Sequence, residues 1–377
     1  MKSALSVVLL ATGSLLSACH MERALTFKGQ GTLLDFTNNT CTWLAPAHCD
    51  RRIPAPSLGP SQRRDVYIYL PAGYPQQGQV YPVIYALHGY GGDESSWAAK
   101  LPEVLDDLIF RQVLPPVVVV MPDFSLTGRP SGFLGDGTDG GSFYINSNRG
   151  RFEDYFLQDL VPFVRSRFAG STDPRATVLL GSSMGGFGVF NLGLKHPELS
   201  TLLAGIYPAV DLRFSCNGNS AGDYQRDCYQ PRTSYPAAAT IAVFGPVRIP
   251  ASTVLYPVFD SDQEPGPTWT EDRPMWERIA AENPRDLLEG RDLSPYRMIL
   301  VVGDRDEFNI DAEVASFVDA LVQRGFTADP AGRYIRPGGH HNGDFERQVL
   351  PEVLEWIGKR LYEACAGQAP AEGGCAR

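Results

Sequence analysis

Two serines in this chain occupy a Gly-X-Ser-X-Gly frame: Ser183, in Gly181-Ser-Ser-Met-Gly185, and Ser220, in Gly218-Asn-Ser-Ala-Gly222. A serine hydroxyl is a weak nucleophile until a base takes its proton, and the base needs a carboxylate to orient it. The frame alone recurs by chance, so its surroundings must decide. The buried run Ala176-Thr-Val-Leu-Leu180 precedes Ser183, and a helix-like stretch from Met184 to Lys195 follows it. That strand–turn–helix setting is what a nucleophile elbow requires, with small residues where the sharp turn crowds the backbone. Ser220 has no strand before it and no helix after it, so Ser183 is the expected nucleophile.

The partners must lie later in the chain, in the order serine, acid, histidine. Only His340 and His341 lie late enough, in Pro337-Gly-Gly-His-His341 after an apolar run. The acid is sought after the preceding strand, where Gly303-Asp-Arg-Asp-Glu-Phe308 offers Asp304, Asp306 and Glu307. Acyl transfer also needs backbone N–H donors for the oxyanion. One is expected from Met184, the residue after the serine. The other is expected from Tyr90 in the Gly-rich loop His88-Gly-Tyr-Gly-Gly92.

Positioning these groups takes an α/β fold. Apolar runs at 65–70, 83–87, 117–121, 176–180, 202–210, 298–302 and 332–336 alternate with helical spacing at 97–111, 152–168, 184–195, 311–324 and 345–361. Buried strands alternating with helices imply a mostly parallel sheet covered on both faces. Such sheets gather chemistry at the carboxyl ends of their strands. Residues 211–296 interrupt the rhythm for longer than a simple connection would. They are expected to form an insertion over the active end.

These segments resemble the esterase D-like family of α/β-hydrolases, which includes feruloyl and acetylxylan esterases, S-formylglutathione hydrolase and mycobacterial mycolyltransferases. The resemblance is carried by Tyr81 to Trp97, Phe143-Tyr-Ile-Asn-Ser147 with Arg151 to Phe156, Gly181 to Gly188 with Lys195-His-Pro-Glu-Leu199, Gly303 to Phe308, and Gly338 to His341. It implies an α/β-hydrolase fold and a serine esterase working through an acyl-enzyme. It selects Asp306 among the acids and His340 of the two histidines. The adjacent His341 and the long, cysteine-bearing insertion depart from the family pattern. The alternatives are an acyltransferase using the same triad, and an inactive surface binding protein on a hydrolase scaffold.

The bulk composition agrees with a globular enzyme: 377 residues, 43% hydrophobic and 20% charged. A net charge of −10 provides no basic footprint for nucleic acid. The six histidines and seven cysteines do not fall at metal-ligand spacings, so no metal or cofactor is expected. Lys2, an apolar run from Ala4 to Leu16 and the small residues before Cys19 read as an export signal over residues 1–18. Leu16-Ser-Ala-Cys19 resembles the lipobox of bacterial lipoproteins, which implies lipidation at Cys19 and anchoring to a bacterial membrane, periplasmic or at the cell surface. The other six cysteines form close sequence pairs, predicting disulfides Cys41–Cys49, Cys216–Cys228 and Cys365–Cys375 in an oxidising compartment. The domain reading is an N-terminal extension over 19–63, a catalytic domain over 64–363 and a tail over 364–377. The expected partner is a small-molecule or polysaccharide-linked ester. Tyr144 and Trp97 are candidates to line its pocket, with core packing as the alternative. His88 is read as structural, and His196, near a helix end, as surface.

Overall fold

Unbroken apolar runs such as Val-Ile-Tyr-Ala-Leu at 83–87 are satisfied only where both faces of a strand are covered. A computed structural model describes residues 25–27, 31–38, 50–128, 140–216, 229–231, 240–244, 247–259, 275–328 and 334–365. Nine strands build its main sheet: β1 Leu25–Phe27, β2 Gly31–Phe36, β3 Val66–Leu70, β4 Val83–Leu87, β5 Val118–Pro122, β6 Thr177–Ser182, β7 Leu202–Ile206, β8 Arg297–Gly303 and β9 Ile335–Arg336. Their order is β1-β2-β3-β5-β4-β6-β7-β8-β9. The six strands from β5 to β9 in that order run parallel, while β1, β2 and β3 add antiparallel at one side. Every residue of β4, β5, β6 and β7 is buried. This is the mostly parallel sheet expected from the alternating runs, in the α/β-hydrolase arrangement that the resemblance implies.

Helices cover the two faces: α1 Leu101–Phe110, α2 Val161–Arg167, α3 Met184–Lys195, α4 Ile310–Gln323 and α5 Gly343–Cys365. Helix α3 is buried along nearly its whole length, because it runs back from the strand carrying Ser183 through the middle of the molecule. A wide π-helical turn, Tyr155–Leu160, leads into α2. Pro162 there has no N–H to return to the carbonyl of Gln158, which loosens the turn before it.

The expected start of the sheet at residue 64 is corrected. Strands β1 and β2 belong to the sheet, and Leu33, Leu34 and Phe36 are buried in its core. Their short apolar stretch is flanked by asparagines, glycines and prolines that read as irregular chain. Behind them the Tyr69 hydroxyl donates to Asp106 Oδ1 at 2.7 Å, tying β3 to α1.

The insertion carries its own four-stranded antiparallel sheet, ordered 229–231, 214–216, 240–244, 247–250, with short helices at Ala251–Val254, Tyr256–Phe259, Met275–Glu282 and Pro284–Leu287. Its two ends are tied together by Asn283, which accepts from the N–H of Leu212 (3.0 Å) and donates to Asp211 Oδ1 (2.9 Å). The hydrolase core holds it through Asn191 on α3, which donates to the carbonyl of Glu282 (2.7 Å). Residues 1–18, Cys19 and Ser220 lie outside the described residues, as do Cys41, Cys49, Cys228 and Cys375. For Cys216 and Cys365 the backbone alone is described.

Candidate active site

Strand β6 ends at Ser182, and α3 begins at Met184, so the chain reverses on Ser183 alone. Its backbone sits at φ +55° and ψ −121°, a region that disfavours a side chain and costs on the order of 1–3 kcal/mol. The surroundings hold it there. Its N–H donates to Ile206 on β7 (3.1 Å), and its carbonyl accepts from Phe187 in the first turn of α3. The turn packs so closely on β4 that a Cβ at Gly185 would overlap the carbonyl of Leu87, and one at Gly181 would overlap Gly185. Those glycines are required by close approach of backbone to backbone.

The Ser183 hydroxyl lies 3.0 Å from Nε2 of His341, whose Nδ1 lies 2.8 Å from Oδ2 of Asp306. The expectation of His340 is therefore corrected: His341 faces the serine. His340 points away, its side chain 44% exposed and its Nδ1 2.8 Å from Glu307 Oε1. The reason is the stitching between two loops. Asp304 Oδ1 accepts from Gly338 N–H, and the carbonyl of Gly339 accepts from Arg305. Glu307 Oε2 accepts from His341 N–H at 2.8 Å. These bonds set the phase at which the loop presents its two histidines, and adjacent side chains of a non-helical segment point apart.

Asp306 is fully buried and needs compensation for its charge. Besides the imidazole, its Oδ1 accepts from the N–H groups of Phe308 (2.9 Å) and Ile310 (3.4 Å), at the amino end of α4, where the helix dipole favours an anion. The rings of Tyr207 and Phe308 stand 4.3 and 4.6 Å from the His341 ring and fix its plane. Asp306 is thus the carboxylate that meets the imidazole of His341, and Asp304 serves the loop.

His88 is buried and structural, as expected. Burial pushes its pKa down, and the neutral ring accepts from Phe124 N–H at Nε2 (2.8 Å) and donates from Nδ1 to the Gly89 carbonyl (2.8 Å). In a planar trans peptide the N–H points opposite to the carbonyl. Drawing the Gly89 carbonyl toward His88 therefore turns the Tyr90 N–H away from that ring. Gly89 also comes near the serine: a Cβ there would meet Ser183 Cβ at 3.4 Å. The N–H of Met184 belongs to the first turn of α3, whose leading N–H groups have no partner within the helix.

A cavity of about 260 Å³ opens above these groups, with Ser183, Tyr90, Met184 and His341 in its wall. The insertion supplies Leu212, Phe214, Ile241, Val254 and Leu255, so the wall is largely apolar. The insertion also grips both loops of the site. Tyr90 Oη donates to the carbonyl of Thr253 (3.1 Å), and Val243 N–H donates to the carbonyl of Glu307 (2.9 Å). Trp97 lines the cavity but is 1% exposed, its indole N–H committed to the Leu87 carbonyl at 2.9 Å. Tyr144 does not line the cavity, which corrects that candidate. Its hydroxyl donates to the His88 carbonyl at 2.8 Å, bracing the Gly-rich loop from behind.

A family model described as "Putative esterase" matches residues 57–356. The chain belongs to this esterase family. Among curated relatives, an endo-1,4-beta-xylanase/feruloyl esterase of Xylanibacter ruminicola is 29% identical over 138 residues, 35% of this chain and 18% of that protein. Esterase Rv1288 of Mycobacterium tuberculosis is 29% identical over 133 residues, 35% of this chain and 26% of that protein. The matches thus span about a fifth to a quarter of those longer relatives. Among solved structures, a ferulic acid esterase superposes with a TM-score of 0.57 at 15% identity, covering 88% of this chain and 99% of that one. An S-formylglutathione hydrolase from Agrobacterium tumefaciens gives 0.55 at 15% identity, covering 89% and 98%. At such identities the superpositions show a shared fold.

Sequence reasoning about this chain missed Tyr207 and the brace that Glu307 supplies. Tyr207 follows β7 with a positive φ of 35° and stacks on the imidazole, yet nothing in its local sequence separates it from a core tyrosine. Glu307 stood among the candidate acids; it braces His341 instead. His196 is a half-buried member of a charge cluster and not plain surface. Its Nε2 meets Glu153 Oε1 at 2.7 Å, and Lys195 bridges Glu153 and Glu282 at 2.5 and 3.1 Å. Glu153 is the hub of that cluster.

Proposed function

We propose that the chain is a serine hydrolase cleaving carboxylic esters through an acyl-enzyme on Ser183. The observation that carries this reading is the hydrogen-bonded row Ser183–His341–Asp306, held at the base of an apolar cavity by a strained turn. In this mechanism Ser183 Oγ attacks the ester carbonyl carbon as its proton passes to His341 Nε2. Asp306 keeps the Nδ1–H tautomer and balances the imidazolium. The N–H groups of Tyr90 and Met184 receive the oxyanion. Collapse of the tetrahedral adduct returns the proton from His341 to the departing alcohol. A water then repeats the sequence on the acyl-enzyme and releases the acid.

The relative named as a feruloyl esterase and the structural neighbour named for ferulic acid support feruloyl esters as first substrates to try, with polysaccharide-linked esters beside them. The test is hydrolysis of p-nitrophenyl acetate by the parent and by Ser183→Ala, with fluorophosphonate labelling of the parent. The substitution is expected to lower kcat by at least about a thousandfold. Equal rates in the two proteins would refute the assignment.

A further inference from the structure

Glu313 is the cavity-lining carboxyl that the mechanism does not use. It projects from α4, one turn after the amides that hold Asp306, and lines the same cavity as Ser183 and His341. It is 6% exposed. The other carboxylate in the wall, Glu346, is ion-paired with Lys100, so those two charges offset each other. Among the described residues, no basic side chain pairs with Glu313. Its carboxyl accepts from the N–H of Asp211 at 3.0 Å and from the backbone of Val210, and its neighbours with charge are the carboxylates of Asp211 and Asp306. Burial and those two anions hold its pKa well above the ordinary carboxylate range. Such a setting favours the protonated carboxyl, and a carboxylic acid offers one O–H donor besides its acceptor oxygen. The same cavity wall carries the apolar side chains of Leu212, Phe214, Ile241 and Ile310.

We propose that Glu313 is a hydrogen-bond-donating subsite of the cavity, selecting esters whose chain carries a neutral acceptor oxygen, such as an ether or carbonyl, at the depth of that wall. Apolar pockets take their specificity from a few placed polar groups, and Glu313 is placed to be one. A purely hydrocarbon chain would leave the acid O–H unpaired.

This subsite rests on the ester-hydrolysing reading, and the experiment separates the two. The probe is an oxygen walk in two series. In one, each methylene of the acyl chain of p-nitrophenyl hexanoate is replaced in turn by an ether oxygen; in the other, the same is done along the alkyl chain of hexyl acetate. Rates are taken for the parent, Glu313→Leu and Glu313→Gln, and each oxa ester is compared with its hydrocarbon parent. Dividing the ratio in one protein by that in another cancels the intrinsic reactivity of the ester. At one position kcat/KM of the parent should exceed that of Glu313→Leu by about fivefold more for the oxa ester than for the hydrocarbon, the size of one net hydrogen bond. Glu313→Gln, whose amide can accept from Asp211 N–H while offering an N–H to the cavity, should keep the preference. A role confined to bracing the Asp211 loop would slow every ester alike and leave the ratios at one. Ratios of one at every position in both series, with the plain esters still hydrolysed, would overturn the subsite alone. Where Glu313→Leu fails to fold, the parent's ratios divided by those for alkaline hydrolysis of the same esters test it instead. Absence of any Ser183-dependent hydrolysis would overturn the ester reading and the subsite with it.

Discussion

Exchanging each of the two adjacent histidines separates their roles. In His341→Ala the Ser183 hydroxyl loses the acceptor 3.0 Å away, and Asp306 keeps only its backbone donors in a fully buried site. Loss of general-base assistance alone costs about 10²–10⁴ in rate, or roughly 3–5 kcal/mol of transition-state stabilisation. His340→Ala removes a side chain that is 44% exposed and touches Glu307. An exposed pair of that kind is worth about 0–1 kcal/mol, so kcat/KM should fall by less than about fivefold. The assay is steady-state hydrolysis of p-nitrophenyl acetate on proteins whose thermal transitions match the parent. Circular dichroism then guards against misfolding being read as catalysis. The reasoning is refuted if His340→Ala loses as much activity as His341→Ala, or if His341→Ala remains within tenfold of the parent.

Three other outcomes follow from the same geometry. Glu307→Ala frees the backbone of His341, so kcat should fall about tenfold with KM held, because small misplacements of a reacting group are costly. Glu307→Gln should recover most of that loss, and a change confined to KM would contradict this role. Gly185→Ala forces a methyl into the Leu87 carbonyl, and a loss above about 3 kcal/mol in denaturant unfolding is expected. Gly343→Ala, whose Cβ would meet nothing nearer than 3.6 Å, is the control that should stay near the parent. His196→Gln tests the buried charge cluster. The hydrogen bond to Glu153 raises the His196 pKa above 6.5, so its contribution is fully present below that value and is lost as pH rises through the folded-state pKa. The melting temperatures of parent and variant should therefore differ in mildly acid buffer and converge in alkaline buffer. A constant gap across that range would show that the cluster is not titrating.

Much of this architecture can be read from local sequence, because local patterns report what a segment must bury. Val83–Leu87 and Met184–Lys195 appear in the structure with the bounds their apolar runs imply. The small residues around Ser183 likewise announce a crowded turn. The edge strands β1 and β2 were not legible, since a short run beside asparagines and prolines carries no periodicity of its own. Pairing with Leu25–Phe27 on one side and Val66–Leu70 on the other makes Gly31–Phe36 a strand.

The site divides along the same line. Residue types and chain order determined that Ser183, one of three neighbouring acids and one of two adjacent histidines would meet at the carboxyl ends of the strands. They could not determine which histidine. His340 and His341 are chemically identical neighbours, and the choice depends on Glu307 binding the His341 N–H and on Tyr207 and Phe308 receiving its ring. The assignment of Tyr144 to the loop, and of Glu313 to the cavity wall, likewise rests on contacts between segments far apart in sequence. Sequence sets which groups are available and what each segment must bury, whereas the direction in which a side chain points is decided by hydrogen bonds and ring contacts that exist only once the chain has closed.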